Sequence, residues 1–267
     1  ERPLRVLLVL FAQAKRTPPP PARRQKNPRP AGAGRNKFQP RKKKKAKKEE
    51  WSVRARGARR STAMEVVNNK EGKPLEFYLE KFKETDPAEM AARCGLPYDG
   101  EARAITANLL GERFLISHPE YTIVGPSPLS NAEKILFLRY LLDGRKAQSL
   151  GQYLTYREFP WGEVYLQQFT GRCIKRFAFS YGSRLDLLEK IMEKLPAKKL
   201  SRSDCGWELE LMEGLTIQFL LWAGDEEFPP NAQIMFSDNF RYAFTAEDLA
   251  NAGDIVLNRM KRIGAGL

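Results

Sequence analysis

The chain changes character at about residue 64, and this change separates a part that can fold from a part that cannot. Residues 13–63 combine four consecutive prolines, Pro18 to Pro21, with scattered arginine and glycine and the basic run Arg41 to Lys48. Such a segment buries too little apolar surface to offset the entropy that is lost on ordering. We therefore predict a disordered, Pro-, Lys- and Arg-rich tail over residues 1–69.

Two interpretations of the tail stay open at this point. The chain begins without methionine, and Met64 is the first one, so residues 1–63 are either a genuine basic tail or sequence upstream of the true start. A genuine tail would bind nucleic acid or anionic lipid through Lys42 to Lys48, weakly and without sequence preference.

The charge of the chain divides at the same place. The formal net charge of the whole chain is +14, but residues 1–63 hold 21 Lys and Arg against three Glu. The remaining 204 residues hold 25 Lys and Arg against 29 Asp and Glu, which is a net charge of −4. A mildly acidic body argues against a nucleic-acid-binding surface on the folded part.

Cysteine and histidine content gives no support for a metal site or a disulfide framework. Cys94, Cys173 and Cys205 are widely spaced and odd in number, which favours small buried thiols in a reducing compartment. His118 precedes Pro119 between two predicted strands, and we interpret it as a surface histidine. We predict no metal ligands and make no prediction of a cofactor.

Hydropathy predicts a cytoplasmic protein without membrane contact. No apolar run approaches the ~20 residues that a membrane helix needs. The apolar stretch Leu4 to Ala12 is followed by basic residues and prolines, and not by a small-residue cleavage site.

Apolar periodicity predicts a single domain over residues 70–263. Leu75, Tyr78, Leu79 and Phe82 have the spacing of a helix. Capping pairs predict the starts of three more helices, at Asp86 with Glu89, Ser130 with Glu133, and Thr245 with Asp248. Helical spacing also covers Trp161 to Ser180 and Leu185 to Leu195.

Alternating residues predict two antiparallel sheets. Residues 104–124 form a predicted three-stranded meander, and a second sheet comprises strands around Trp207 to Leu211, Ile217 to Leu221 and Ala232 to Phe236. In that second sheet we expect one buried face lined by Trp207, Phe219, Leu221, Ile234 and Phe236. Strands grouped with strands, and helices with helices, indicate an α+β fold with two antiparallel sheets and covering helices.

Several segments of this domain resemble a known family. They are Tyr156-Arg157-Glu158-Phe159-Pro160, Phe169 with Arg172, Gly224-Asp225-Glu226-Glu227-Phe228-Pro229-Pro230, Ile234-Met235-Phe236 and Glu247-Asp248-Leu249-Ala250. Over about residues 70–263 the chain resembles the prokaryotic family called domain of unknown function 3786. The resemblance implies occurrence mostly in anaerobic bacteria and archaea and an added iron–sulfur segment in some members, but it implies no activity and no site residues. This chain lacks a cysteine-rich segment of that kind.

The candidate ligand-binding residues are an acidic loop and a basic region. Asp225, Glu226 and Glu227 lie in one loop that Pro229 and Pro230 stiffen, and three neighbouring carboxylates repel one another unless a cation, ligand or basic partner relieves them. We expect Phe228 to bury its ring and hold this loop against the domain. The loop is expected to face a pocket that also receives the basic region, of which the candidate residues are Arg157, Glu158 and Arg172.

Two functions remain open from the sequence. One is an accessory module of anaerobic metabolism that binds a small ligand or a protein partner through these residues. The other is an enzyme in which an acid of residues 225–227 acts as general base while Arg157 or Arg172 clamps the substrate. Catalytic residues are not assigned.

Overall fold

The structure, a computed structural model, describes residues 69–267, with side chains from residue 75 onward. This part of the chain contains two antiparallel sheets and covering helices, which confirms the predicted α+β fold. The tail predicted for the first part of the chain lies outside the described residues.

The first half of the described chain forms three helices and the smaller sheet. Its elements are α1 (Asn69–Glu84), α2 (Pro87–Cys94), β1 (Tyr98–Asp99), β2 (Ala104–Leu109), β3 (Glu112–Ser117), β4 (Ile123–Val124) and α3 (Asn131–Asp143). The strands lie in the order β1-β2-β3-β4, each antiparallel to its neighbour.

The second half forms the larger sheet and the helices that cover it. Its elements are β5 (Tyr153–Thr155), a 3₁₀ turn (Tyr156–Glu158), α4 (Gly162–Phe169), a π-helical turn (Thr170–Lys175), α5 (Arg176–Tyr181), α6 (Leu185–Met192), β6 (Ala197–Leu200), β7 (Cys205–Met212), β8 (Leu215–Trp222), β9 (Asn231–Ser237), α7 (Phe240–Ala243) and α8 (Ala246–Gly264). The strands lie in the order β5-β9-β8-β7-β6.

The predicted buried face of the larger sheet is confirmed. Trp207 pairs with Phe219 across β7 and β8, and Phe219 pairs with Ile234 across β8 and β9, so the three side chains share one face. The Phe177 ring of α5 and the Phe219 ring meet edge to face, with centroids 5.3 Å apart. Helices therefore cover this face, and the core lies between them and the sheet.

Local sequence determines where several helices begin. At α3 the Ser130 hydroxyl accepts from the Glu133 backbone N–H, and the Glu133 carboxylate accepts from the Ser130 N–H at 2.7 Å. The same reciprocal arrangement joins Thr245 and Asp248 at the start of α8. Of the three predicted capping pairs, those at Ser130 and Thr245 are confirmed as capping boxes, in which both residues satisfy backbone donors. At α2 the Asp86 carboxylate accepts from the Ala88 and Glu89 N–H groups, so Asp86 caps the helix as predicted.

The interpretation of His118 as a surface residue is wrong. Its side chain is buried, Nε2 donates to the Phe82 carbonyl at 3.0 Å, and Nδ1 accepts from Arg103 at 3.3 Å. The imidazole thus joins α1 to the smaller sheet. The predicted turn is present, and the His118–Pro119 peptide bond in it is cis.

Candidate functional site

The π-helical turn brings the helical segment α4–α5 close to α8. A Cβ added at Gly253 of α8 would lie 3.2 Å from the Cys173 Sγ of the π turn, so a side chain at this position would require the sulfur to shift by a few tenths of an ångström. Turns of this type are rare and frequently lie at functional sites.

The contact is completed by a polar network on the exposed side. Arg172 donates to the Asp254 carboxylate at 2.7 Å, and Arg176 is bound to the same carboxylate. Arg176 also donates to the Asn258 side-chain oxygen at 2.7 Å. Asp254 and Asn258 thereby orient the Arg176 guanidinium.

Next to this network lies a cleft of about 310 Å³, which we call the basic cleft. It is lined by Arg176, Ser180, Tyr181, Arg184, Leu187, Ile191, Leu257, Lys261, Gly264 and Ala265. Three of these side chains are cations, contributed by α5, by the turn before α6 and by α8. No carboxylate is among the lining residues, and leucine and isoleucine form an apolar strip beside the cations.

The two arginines of the basic cleft, Arg176 and Arg184, are held in place by hydrogen bonds within the domain. The Arg184 guanidinium donates to the Ser180 carbonyl at 3.2 and 2.6 Å, while Lys261 makes no ion pair with any described residue. Burial raises the pKa of the Tyr181 phenol, and the charges of Arg176 and Arg184 oppose that rise, so both guanidinium groups act on this part of the cleft. Arg176 is paired with Asp254, but Arg184 and Lys261 have no carboxylate partner among the described residues, and their charge makes the cleft suited to an anion.

A second cleft of about 440 Å³ lies on the other side of Lys261. It is lined by Ser130, Glu133, Ile255, Asn258, Lys261, Arg262 and Ala265, so Lys261 and Ala265 belong to both clefts. The Glu133 side chain in this lining is buried, and it accepts from Arg262 at 3.2 Å.

The predicted acidic loop is exposed and largely satisfied by its own backbone. The Asp225 carboxylate accepts from the backbone N–H groups of Glu227 and Phe228 at 2.9 and 2.7 Å, and the Asp225 N–H donates to the Phe228 carbonyl. Glu226 and Glu227 are exposed, and none of the three acids makes an ion pair with a described residue.

The expectation that Phe228 buries its ring is wrong. The Phe228 side chain is 67% exposed, because the hydrogen bonds of Asp225 close the turn without it. Pro230 makes the contact with the domain instead: a Cβ added at Gly182 would lie 2.2 Å from the Pro230 Cβ. Since Gly182 lies between Tyr181 and Arg184, the loop is attached beside the basic cleft.

The predicted basic residues are held by other partners. Arg157 forms an exposed ion pair with Glu163, and this pairing lowers the pKa of Glu163. Glu158 accepts from the Thr155 hydroxyl at 2.8 Å and from the Thr155 N–H at 2.7 Å, and these two hydrogen bonds lower the pKa of Glu158. Among the described residues no hydrogen bond or ion pair joins Arg157 to the acidic loop, whereas Arg172 belongs to the network beside the basic cleft.

The three cysteines are buried, as the sequence indicated. Burial raises the pKa of Cys94 to about 11 and that of Cys173 to about 12. We expect both to react slowly with Ellman's reagent at pH 8 in the native protein and at once after unfolding in urea. Fast reaction of the native protein would contradict the buried positions of these thiols.

The same pKa values give a pH dependence with a definite sign. Because the folded state favours the neutral thiol, the stabilisation from Cys173 is fully present below the ordinary pKa of cysteine and is lost as the pH rises towards about 12.

Within residues 75–267 no group of three or more metal-binding side chains is found. No helix among the described residues is both long and apolar enough to cross a bilayer.

Comparison with known proteins identifies a family. A family model described as a domain of unknown function (DUF3786) matches residues 86–259, a range that includes most residues of the basic cleft. No curated protein and no solved structure matches the chain.

Proposed function

This chain belongs to the family described as a domain of unknown function (DUF3786), and from the geometry of its domain we propose that it is an accessory module that binds a small anionic ligand in the basic cleft. The observation that carries the proposal is the collection of Arg176, Arg184 and Lys261 around one cleft without a carboxylate in its lining. An accessory role in anaerobic metabolism is part of the proposal, and it is supported by the family resemblance alone.

The charge of the cleft is opposite to that of the domain around it. Residues 64–267 have a net charge of −4, yet among the described residues Asp254 is the one carboxylate bound to the arginines beside this cleft. Gathering like charges costs free energy, and a bound anion relieves that cost. Arginine side chains with fixed orientation also lose little entropy when they bind a carboxylate or phosphate.

The volume of the basic cleft and its apolar strip limit the kind of ligand that it can bind. A volume of about 310 Å³ lies at the small end of ligand pockets. Leu187, Ile191 and Leu257 offer apolar surface beside the cations, so the cleft suits an anion that carries a short apolar chain or ring.

Binding fits the lining better than catalysis. Among the described residues that line the cleft there is neither a histidine nor a carboxylate, the two side-chain types best suited to act as general base near neutral pH. The acidic loop of residues 225–227 lies next to the cleft. Its negative charge would repel long polyanions such as nucleic acid and so favour small anions.

Octanoate tests this proposal because it combines one carboxylate with an apolar chain. Titration followed by amide chemical shifts should move signals of residues 176–191 and 257–265. Lys261→Gln and Arg184→Gln should each weaken octanoate binding by about tenfold, since each removes a charge-assisted contact.

The matched controls are exposed cations outside the cleft. Lys190→Gln lies on α6 and Arg113→Gln on β3, and neither lines the cleft, so both should leave the octanoate Kd within about twofold. Equal loss of affinity in Lys261→Gln and Lys190→Gln would show that the attraction is diffuse, and absence of octanoate binding would overturn the proposal.

A further inference from the structure

The basic cleft and the second cleft share two lining residues, Lys261 and Ala265, which we call the wall. These residues are one helical turn apart at the end of α8, and both line both clefts. The Ala265 side chain is a single methyl group and is exposed. A ligand that contacts the wall therefore lies at the boundary between the two clefts.

A hydrogen bond also connects the two clefts. Arg176 lines the basic cleft and donates to the side chain of Asn258, which lines the second cleft. The Lys261 ammonium, on its flexible stem, has no ion-pair partner among the described residues and is available to either space.

The second cleft has its own cation that can meet an anion. Arg262 keeps 49% of its side chain exposed while it donates to the buried Glu133. Both oxygens of the Glu133 carboxylate already have partners. Oε2 accepts from the N–H and the hydroxyl of Ser130, and Oε1 forms ion pairs with Arg262 and Arg259. The remaining donors of Arg262, together with Lys261, leave the second cleft net positive.

We infer that the two clefts are halves of one site, which takes an elongated ligand with an anionic group at each end and an apolar chain between them. One end binds at Arg176 and Arg184, the chain crosses the wall at Ala265, and the other end binds at Arg262. Lys261 lies at the crossing and contacts both halves. This inference rests on the proposed function and extends it from one anionic group to two.

Straight-chain dicarboxylates of increasing length test the inference against monocarboxylates of equal length. Dicarboxylates should bind more tightly than the matched monocarboxylates once the chain is long enough to reach from Arg184 to Arg262. Arg262→Gln should weaken the best dicarboxylate by about tenfold and leave octanoate within about twofold, because only the dicarboxylate reaches the second cleft.

A variant at the wall gives an independent readout. Ala265→Leu adds bulk at an exposed position of helical conformation, which leucine tolerates, so the fold should persist. It should block the crossing, so that the ratio of dicarboxylate affinity to monocarboxylate affinity falls to about one. Because Ala265 also lines the basic cleft, this ratio, and not the octanoate affinity alone, is the readout. Circular dichroism of Ala265→Leu and Arg262→Gln checks that both are folded.

The possible failures are distinguishable. If octanoate binds but dicarboxylates bind no more tightly at any length, the two-ended site is overturned and the proposed function stands. Equal effects of Arg262→Gln on both ligand types would also overturn it, since that pattern indicates general electrostatics. If neither ligand binds, the proposed function falls and this inference falls with it.

Discussion

Replacing Phe219 by Ala is expected to lower the free energy of unfolding by about 3 to 5 kcal/mol. Phe219 is fully buried in β8, between Trp207 and Ile234 on the neighbouring strands, and its ring contacts Phe177 of the covering helix. Truncation leaves a cavity that strands paired on both sides cannot close. Because domains are stable by about 5 to 15 kcal/mol, this loss is a large part of the total.

Urea denaturation followed by circular dichroism measures the effect. Phe179→Ala is the matched control, because Phe179 lies two residues after Phe177 on α5 but is 65% exposed. It should change the free energy of unfolding by less than about 0.5 kcal/mol. Equal denaturation midpoints for the two variants would mean that the buried face of the larger sheet is misassigned.

Asp248→Ala should cost a similar amount, about 3 to 5 kcal/mol, for an electrostatic reason. The Asp248 carboxylate is buried and accepts from Arg139 at 3.0 and 3.1 Å and from the Thr245 N–H at 3.0 Å. Its removal leaves the largely buried Arg139 without its main counter-charge, and it also removes the capping box of α8. Both losses lower the free energy of unfolding.

Asp143→Ala is a sharp control for this prediction because Asp143 pairs with the same arginine at 3.0 Å but is exposed. Exposed ion pairs contribute about 0 to 1 kcal/mol, so the two aspartates should differ by several-fold in their effect on the free energy of unfolding. In the double variant Arg139→Met with Asp248→Ala, the cost should be less than the sum of the single costs. Additive costs would contradict a direct interaction.

The parts of the fold that depend on residues close together in the sequence could be predicted from the sequence. The capping boxes at Ser130 and Thr245 and the alternation around Phe219 depend on residues within a few positions of one another. The strands β1, β5 and β6 were missed because two of them have only two or three residues and the third, Ala197–Leu200, has two lysines that interrupt the apolar pattern. The π turn has no sequence signature of its own.

The candidate site could not be predicted from the sequence in the same way, because its residues are distant from one another along the chain. Arg184 and Lys261 are 77 positions apart, and the net charge of −4 over residues 64–267 concealed their meeting in one cleft. Arg172 was selected from the sequence, and it does lie beside the cleft. Asp225, Glu226 and Glu227 stood out by their adjacency, but adjacency does not show that the Asp225 carboxylate binds its own loop.

The position of α8 has a consequence for how this domain is synthesised. Residues of α8 supply the partners of Glu112, Arg139 and Arg176, yet α8 is the last of the described helices to leave the ribosome. Until it emerges, the covering layer of the nascent chain is incomplete, and Glu112, Arg139 and Arg176 lack the ion-pair partners that α8 supplies. The domain therefore reaches its native core only after residue 264 has left the ribosome, and until then the growing chain exposes apolar surface that α8 later covers.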